Sequence, residues 1–256
     1  YLTFQITSEA ERALIWGYIK SAQTEYVLAA MGLGASADII RGLRWQFLSK
    51  AIGYNSISII SVASVFMCYT SNMAIPRSGE IVRATTLSGY NKIPISKTFG
   101  TIAAERVVDI SISILILITV WLLQFEVILE SFFDDDFLYF VNNNMATILS
   151  VLFFVILAIG FIIFKIEKVK NFFNGILEGF LSLTKLKKKL IPFILFSALI
   201  WTCYVLAFFV IKFSVSELQI IDNGLILPAF IVGVFSISLS NHGLGVYPLA
   251  ISLFLL

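Results

Sequence analysis

Leu190 to Ile211 is a run of 22 residues without a charge, and Ala146 to Phe164 is another of 19. The hydrocarbon core of a bilayer is about 30 Å thick, so roughly 20 apolar helical residues cross it. In lipid every backbone N–H and C=O must be satisfied within the protein, which a helix does by itself. Ala51 to Ile75 is a third run, stopped by Pro76. Ile110 to Phe125 is a fourth, expected to extend backward through Arg106 and Asp109. Tyr26 to Leu48 is interrupted by Asp38, Arg41 and Arg44. From Gly224 onward the chain carries no charge except at His242, but Ser236-Ile-Ser-Leu-Ser-Asn-His-Gly breaks the run. These six segments, with a broken continuation after Gly243, predict an all-α fold: a polytopic transmembrane helix bundle with re-entrant or broken helices. A single integral membrane domain over 1–256 is expected. It is expected to be truncated at both ends, because the sequence opens on Tyr1 and closes on the apolar Leu249–Leu256.

Composition agrees. Charged residues make up 13% of the chain, about half the share usual in a soluble domain. That deficit excludes an ordinary water-soluble enzyme, a disordered chain and a nucleic-acid binder. With 18 basic and 16 acidic residues, charge can act only through local placement. Cys68 and Cys203 both lie in apolar runs and make no disulfide framework. His242 is the only histidine, which excludes a multi-histidine metal site. No phosphate-binding loop, dinucleotide turn or Ser-His-Asp order is present, so no cofactor and no metal are expected.

Lysines 165, 168, 170, 185 and 187–189 crowd the connection before Leu190, and Glu126, Glu130 and Asp134–Asp136 crowd the one before Ala146. The positive-inside rule puts the basic 165–189 connection in the cytoplasm and the acidic loop outside. Val169, Phe172, Phe173, Ile176, Leu177 and Phe180 recur within the lysine segment at helical spacing, as in a helix lying on an anionic membrane surface. Arg41, Arg44 and Lys50 argue for a second cytoplasmic connection upstream. Two consecutive spans would then end outside unless the chain between them turns back. Residues 72–104 are too polar for a lipid-facing span, so they are expected to form a re-entrant or broken helix in a protein-lined cavity.

That stretch reads Asn72-Met-Ala-Ile-Pro-Arg-Ser-Gly-Glu-Ile-Val-Arg83 and later Gly100-Thr-Ile-Ala-Ala-Glu-Arg-Val-Val-Asp109. Pro76 stops one helix and Ser78 is placed to cap the next. Glu80 and Arg83 share a face; Thr98, Thr101, Glu105 and Asp109 form a stripe, with Arg106 near Asp109; Asp38 and Arg41 make a further local pair. Charges at membrane depth are costly and face a bundle interior or a wet cavity, in pairs. The functional reading is a polar chamber where Arg41, Arg77, Arg83 and Arg106 hold a lipid phosphate, since the guanidinium fork can bond two phosphate oxygens. Asn72, Glu80, Glu105 and Asp109 complete it. The plainer reading leaves these charges at the interface, snorkelling to water.

Arg41-Gly-Leu-Arg44-Trp45, the Asn72…Pro76-Arg-x-Gly-Glu80…Arg83 block and Glu105-Arg-x-x-Asp109 follow one another in order. Together they resemble the lysylphosphatidylglycerol synthase transmembrane region, or flippase-like domain family, over about residues 24–110, with the remainder matched by hydropathy. The resemblance implies a bundle in the plasma membrane that binds and flips a charged or glycosylated lipid, a phospholipid or an isoprenoid-linked one. The chain would act alone, as a homo-oligomer or beside a lipid-modifying enzyme. Synthase activity itself is not expected, because the soluble transferase domain of the best-known members is not in this sequence. The alternative is a membrane-embedded glycosyl or aminoacyl transferase, or an accessory subunit of one. Ser240-Asn241-His242-Gly243-Leu-Gly245 resembles the family's second glycine-rich block. Superposing Gly79 on Gly243 pairs Asn72 with Ser236, the hint of two related halves.

Overall fold

The computed structural model describes residues 9–123, 143–144, 183–184, 186, 189–239 and 246–255. Among them the regular structure is helical and no strand occurs. The helices are α1 (Glu9–Ser21), α2 (Thr24–Ala51), α3 (Ser58–Ala74), α4 (Gly79–Asn91), α5 (Ile95–Leu123), α6 (Leu190–Ile211), α7 (Ile226–Leu239) and α8 (Val246–Leu255). Short 3-10 turns between Lys212 and Leu225 link α6 to α7. The fold is the all-α bundle expected. The charged segment begun at Tyr26 is one continuous helix, and α5 does run back through Asp109 and Arg106 to Ile95. The 146–164 run, the acidic loop and most of the lysine connection lie outside the described residues.

α2 and the Leu190–Ser214 stretch are long and apolar enough to cross a membrane. α5, at 29 residues, is about 43 Å long. α2 and α5 are antiparallel, because Arg41 meets Asp109 while Trp45 meets Thr101. α2 and α6 are also antiparallel. Arg44 bonds Ser197 near one end, and the Gln23 N–H donates to the Ser214 carbonyl at the other. The ends carrying Ala51, Ile95 and Leu190 therefore lie together. At this basal end Trp45, Leu48, Leu87, Ile93, Ala104, Leu186 and Phe193 form a buried cluster.

Between α2 and α5 the chain makes a helical hairpin. α3 has 17 residues and α4 has 13, about 25 and 20 Å, each short of a bilayer core. The Ile57 N–H, at the start of α3, donates to Asn91 Oδ1 at the end of α4, at 2.8 Å. Both ends of the hairpin are thus at the basal level, and the chain enters and leaves on one side. The full span expected over Ala51–Ile75 is therefore not formed, because Ser58–Ala74 is too short an apolar helix to cross and Pro76 turns the chain back. The turn-back expected over residues 72–104 instead comprises α3 and α4, while residues 95–104 begin α5. The hairpin also puts the α2–α3 connection and Leu186, in the basic connection, on the same side.

Two glycines let the hairpin pack. A Cβ on Gly42 would stand 2.5 Å from Val62 Cα, and one on Gly79 would stand 2.2 Å from the Cys68 carbonyl oxygen. Bare backbone at these points is what brings α2 against α3 and α4 against α3.

A second helix pair follows α6. α7 and α8 pack together where Gly233 faces Tyr247, at a spacing that leaves 2.6 Å between a Gly233 Cβ and the ring. Adding 164 residues, the separation of Asn72 and Ser236, carries α2, α3 and α4 onto Leu190–Ser214, α7 and α8 with every boundary within four residues. α2 and α6 run antiparallel, the direction that an inverted repeat would give them. The second glycine block, Asn241, His242, Gly243 and Gly245, lies outside the described residues.

Candidate functional site

The tip of the α3–α4 hairpin is Ile75-Pro76-Arg77-Ser78. Pro76 cannot continue α3, and Arg77 turns the chain with φ 65. Ser78 occupies the cap position of α4, but its hydroxyl donates back to the Ser71 and Ile75 carbonyls rather than capping α4. The cap is supplied by Asn72, whose buried Oδ1 accepts from the Gly79 N–H at 2.7 Å. An Asn seven residues upstream does this only because the hairpin folds it alongside, which local spacing does not reveal.

Below the tip, five ionisable side chains are packed out of solvent. Arg41 Nη1 lies 2.6 Å from Asp109 Oδ2, and Arg44 Nη1 lies 3.0 Å from Asp109 Oδ1. Arg44 Nη2 reaches Glu105 Oε1 at 3.4 Å, and Arg83 Nη2 reaches Glu105 Oε2 at 2.7 Å. Arg44 also donates to Ser197 Oγ, and its guanidinium stacks over the Phe193 ring. The network thus ties α2, α4, α5 and α6 together. The Thr98, Thr101, Glu105 and Asp109 stripe is buried throughout, and Thr101 accepts from Trp45 Nε1.

The local pairs expected from i,i+3 spacing are not the pairs formed. Arg83 forms an ion pair with Glu105 instead of Glu80, and Glu80 takes Arg106 at 2.7 Å. Asp109 is held by α2 instead of by Arg106. Asp38 accepts from Tyr204 Oη at 2.7 Å, leaving Arg41 to Asp109. The physical reason is burial: a desolvated charge gains most from a partner held rigidly on another helix, whereas neighbours on one helix keep their heads in water.

Arg44 was not among the residues singled out for the site, although Arg44-Trp45 stood in the motif. It proves the most enclosed arginine, at 0% exposure. Asn72, Arg41, Arg83, Glu105 and Asp109 are also buried. Glu80 and Arg106 form a half-exposed pair. Arg77 is exposed at the tip, and no carboxylate among the described residues pairs with it.

These five side chains, counted without the neighbouring Asp38, are not electrically balanced. Three arginines face two carboxylates, and the Nε atoms of Arg41, Arg44 and Arg83, Arg83 Nη2 and one acceptor, Glu105 Oε2, have no hydrogen-bond partner among the described residues. Spare donors and one surplus positive charge, held away from water, suit an anion.

The family model for the lysylphosphatidylglycerol synthase TM region matches residues 10–256. The chain belongs to this family. Like the rest of the family's membrane region, it is an integral membrane protein. Among relatives, it is 34% identical over 91 residues to the UPF0104 membrane protein MJ1595 of Methanocaldococcus jannaschii, covering 34% of this chain and 27% of that protein. It is 31% identical over 108 residues to Glycosyltransferase AglD of Haloferax volcanii, covering 38% of this chain and 17% of that protein. Each match thus spans well under a third of the relative's length. No solved structure matches the chain.

Proposed function

We propose that this member of the lysylphosphatidylglycerol synthase TM region family binds the anionic head group of a membrane lipid and moves it between leaflets. The observation that carries the reading is the cationic cluster of Arg41, Arg44 and Arg83 beneath a re-entrant hairpin. Gly79 is about 18 Å along α4 from the basal Asn91, so the tip ends near the middle of a bilayer core about 30 Å thick. Arg77 at the tip is free to meet a phosphate first. Arg106, half exposed on Glu80, can exchange that carboxylate for the phosphate, and the buried arginines supply the positive field below. The acyl chains stay in lipid while the head group follows the polar face of α4 and α5.

The basal end, with its lysine connection, faces the cytoplasm of a plasma membrane in this reading. Lipid transferase activity is the second reading, favoured by the name of the Haloferax relative. It requires a donor site and a base, for which Glu80 is the accessible carboxylate. Reconstitution into proteoliposomes decides between them. Arg77→Ala should insert normally and lose most head-group-dependent lipid transfer. Full transfer by this variant would remove the case for the site, and a chemically altered lipid in the wild-type reaction would favour the transferase.

A further inference from the structure

Apart from Glu25 in the first turn of α2, four carboxylates lie on α2, α4 and α5, and three of them, Glu80, Glu105 and Asp109, are held by arginines. Asp38 is not. Its partners are phenols: Tyr204 Oη of α6 donates to it at 2.7 Å, and Tyr69 of α3 faces it too. Arg41, one turn along α2, is the charged group that acts on it, and that guanidinium is turned to Asp109 and lies over the Tyr204 ring.

The place of Asp38 is unusual. Under the 164-residue relation it corresponds to Thr202, and α2 crosses α6 there, with Ala37, Ile200 and Cys203 buried against one another. An inverted repeat would put the crossing point of its two equivalent helices at the middle of the membrane by symmetry. Arg41 and Arg44 follow about 5 and 9 Å below it. A carboxylate at that depth is expensive to ionise unless it balances charge. Here it does: with Asp38 ionised, the surplus positive charge of Arg41, Arg44 and Arg83 over Glu105 and Asp109 is cancelled.

An anionic phosphodiester entering the cluster upsets that balance by one unit. We propose that Asp38 is a proton-coupling site, which takes up one proton from water as the anionic head group binds. This deepens, and rests on, the head-group reading above. An O–H bond forms on the Asp38 carboxylate, the phosphodiester replaces its negative charge, and the loaded cluster stays neutral. Release of the lipid returns the proton. By linkage, lower pH strengthens head-group binding and the head group strengthens proton binding by the same factor. A transmembrane pH difference can then drive lipid movement without a nucleotide.

The test is calorimetric titration of the detergent-solubilised chain with dihexanoyl phosphatidylglycerol, in buffers of different ionisation enthalpy, which counts protons. The wild type should take up about one proton per lipid bound. Asp38→Asn should bind the lipid with no uptake and with affinity independent of pH. Tyr204→Phe, which keeps the carboxyl, should retain uptake with a shifted pH midpoint, and it serves if the first variant does not fold. Wild-type binding without proton uptake overturns the coupling and leaves the head-group reading standing. No wild-type binding overturns the head-group reading itself. Undiminished uptake in Asp38→Asn, or an unmoved midpoint in Tyr204→Phe, puts the proton elsewhere and overturns the assignment.

Discussion

Arg83 on α4 and Glu105 on α5 meet at 2.7 Å with both side chains almost wholly out of solvent. Their contact joins the returning arm of the hairpin to α5, the longest helix among the described residues. Two charges so enclosed cost several kcal/mol each to desolvate, so the pair holds position more than it adds stability.

Removing one partner should therefore do more harm than removing both. Glu105→Gln leaves Arg83 and Arg44 short of a charge and should cost about 3–5 kcal/mol. The double variant Arg83→Met with Glu105→Leu should recover a substantial part of that. Thermal unfolding in detergent measures both, and additive losses would contradict the pairing.

The close approach of α2 to α3 makes a sharp prediction about two glycines on one helix. Gly42→Ala drives a methyl group into the Val62 backbone and should destabilise by about 1–3 kcal/mol. Gly32→Ala meets open space and should be neutral or stabilising by up to about 1 kcal/mol, because alanine favours helix. Equal effects in unfolding experiments would mean that the helices are not so tightly packed.

Arg77 carries a left-handed backbone at an exposed tip. Its substitution separates strain from charge. Arg77→Gly and Arg77→Ala should lose head-group affinity alike, but the glycine variant should be the more stable by about 1 kcal/mol. A stability difference of the opposite sign would show that the tip adopts another conformation.

Re-entry can be read from accessibility. The engineered cysteines Lys50→Cys, Tyr90→Cys and Lys189→Cys should react with an impermeant maleimide from one side of the membrane, and Gln219→Cys from the other. The native Cys68 and Cys203 are buried and should stay silent. Labelling of positions 50 and 90 from opposite sides would mean that the α3–α4 segment crosses the membrane.

The sequence by itself determined the helical class, the extent of α6 and the extension of α5 through Asp109. It did so because hydropathy over a bilayer's thickness is a local property of consecutive residues. That the chain turns back between α2 and α5 was legible from charge in the flanking connections, but its bounds were not: Ala51–Ile75 reads as a full span, whereas α3 begins only at Ser58 and is too short for one. The partners of the charged residues were not legible. Spacing of three or four along a helix suggested Glu80 with Arg83 and Asp38 with Arg41, but those neighbours diverge to other helices. Only the tertiary structure chose Asp109 for Arg41, Glu105 for Arg83 and Asn72 as the cap of α4. Those choices depend on which helices cross and where backbone without side chains, at Gly42 and Gly79, lets them approach. Pairing of buried charge is decided by distance and desolvation in three dimensions, and neither quantity is written in the order of residues.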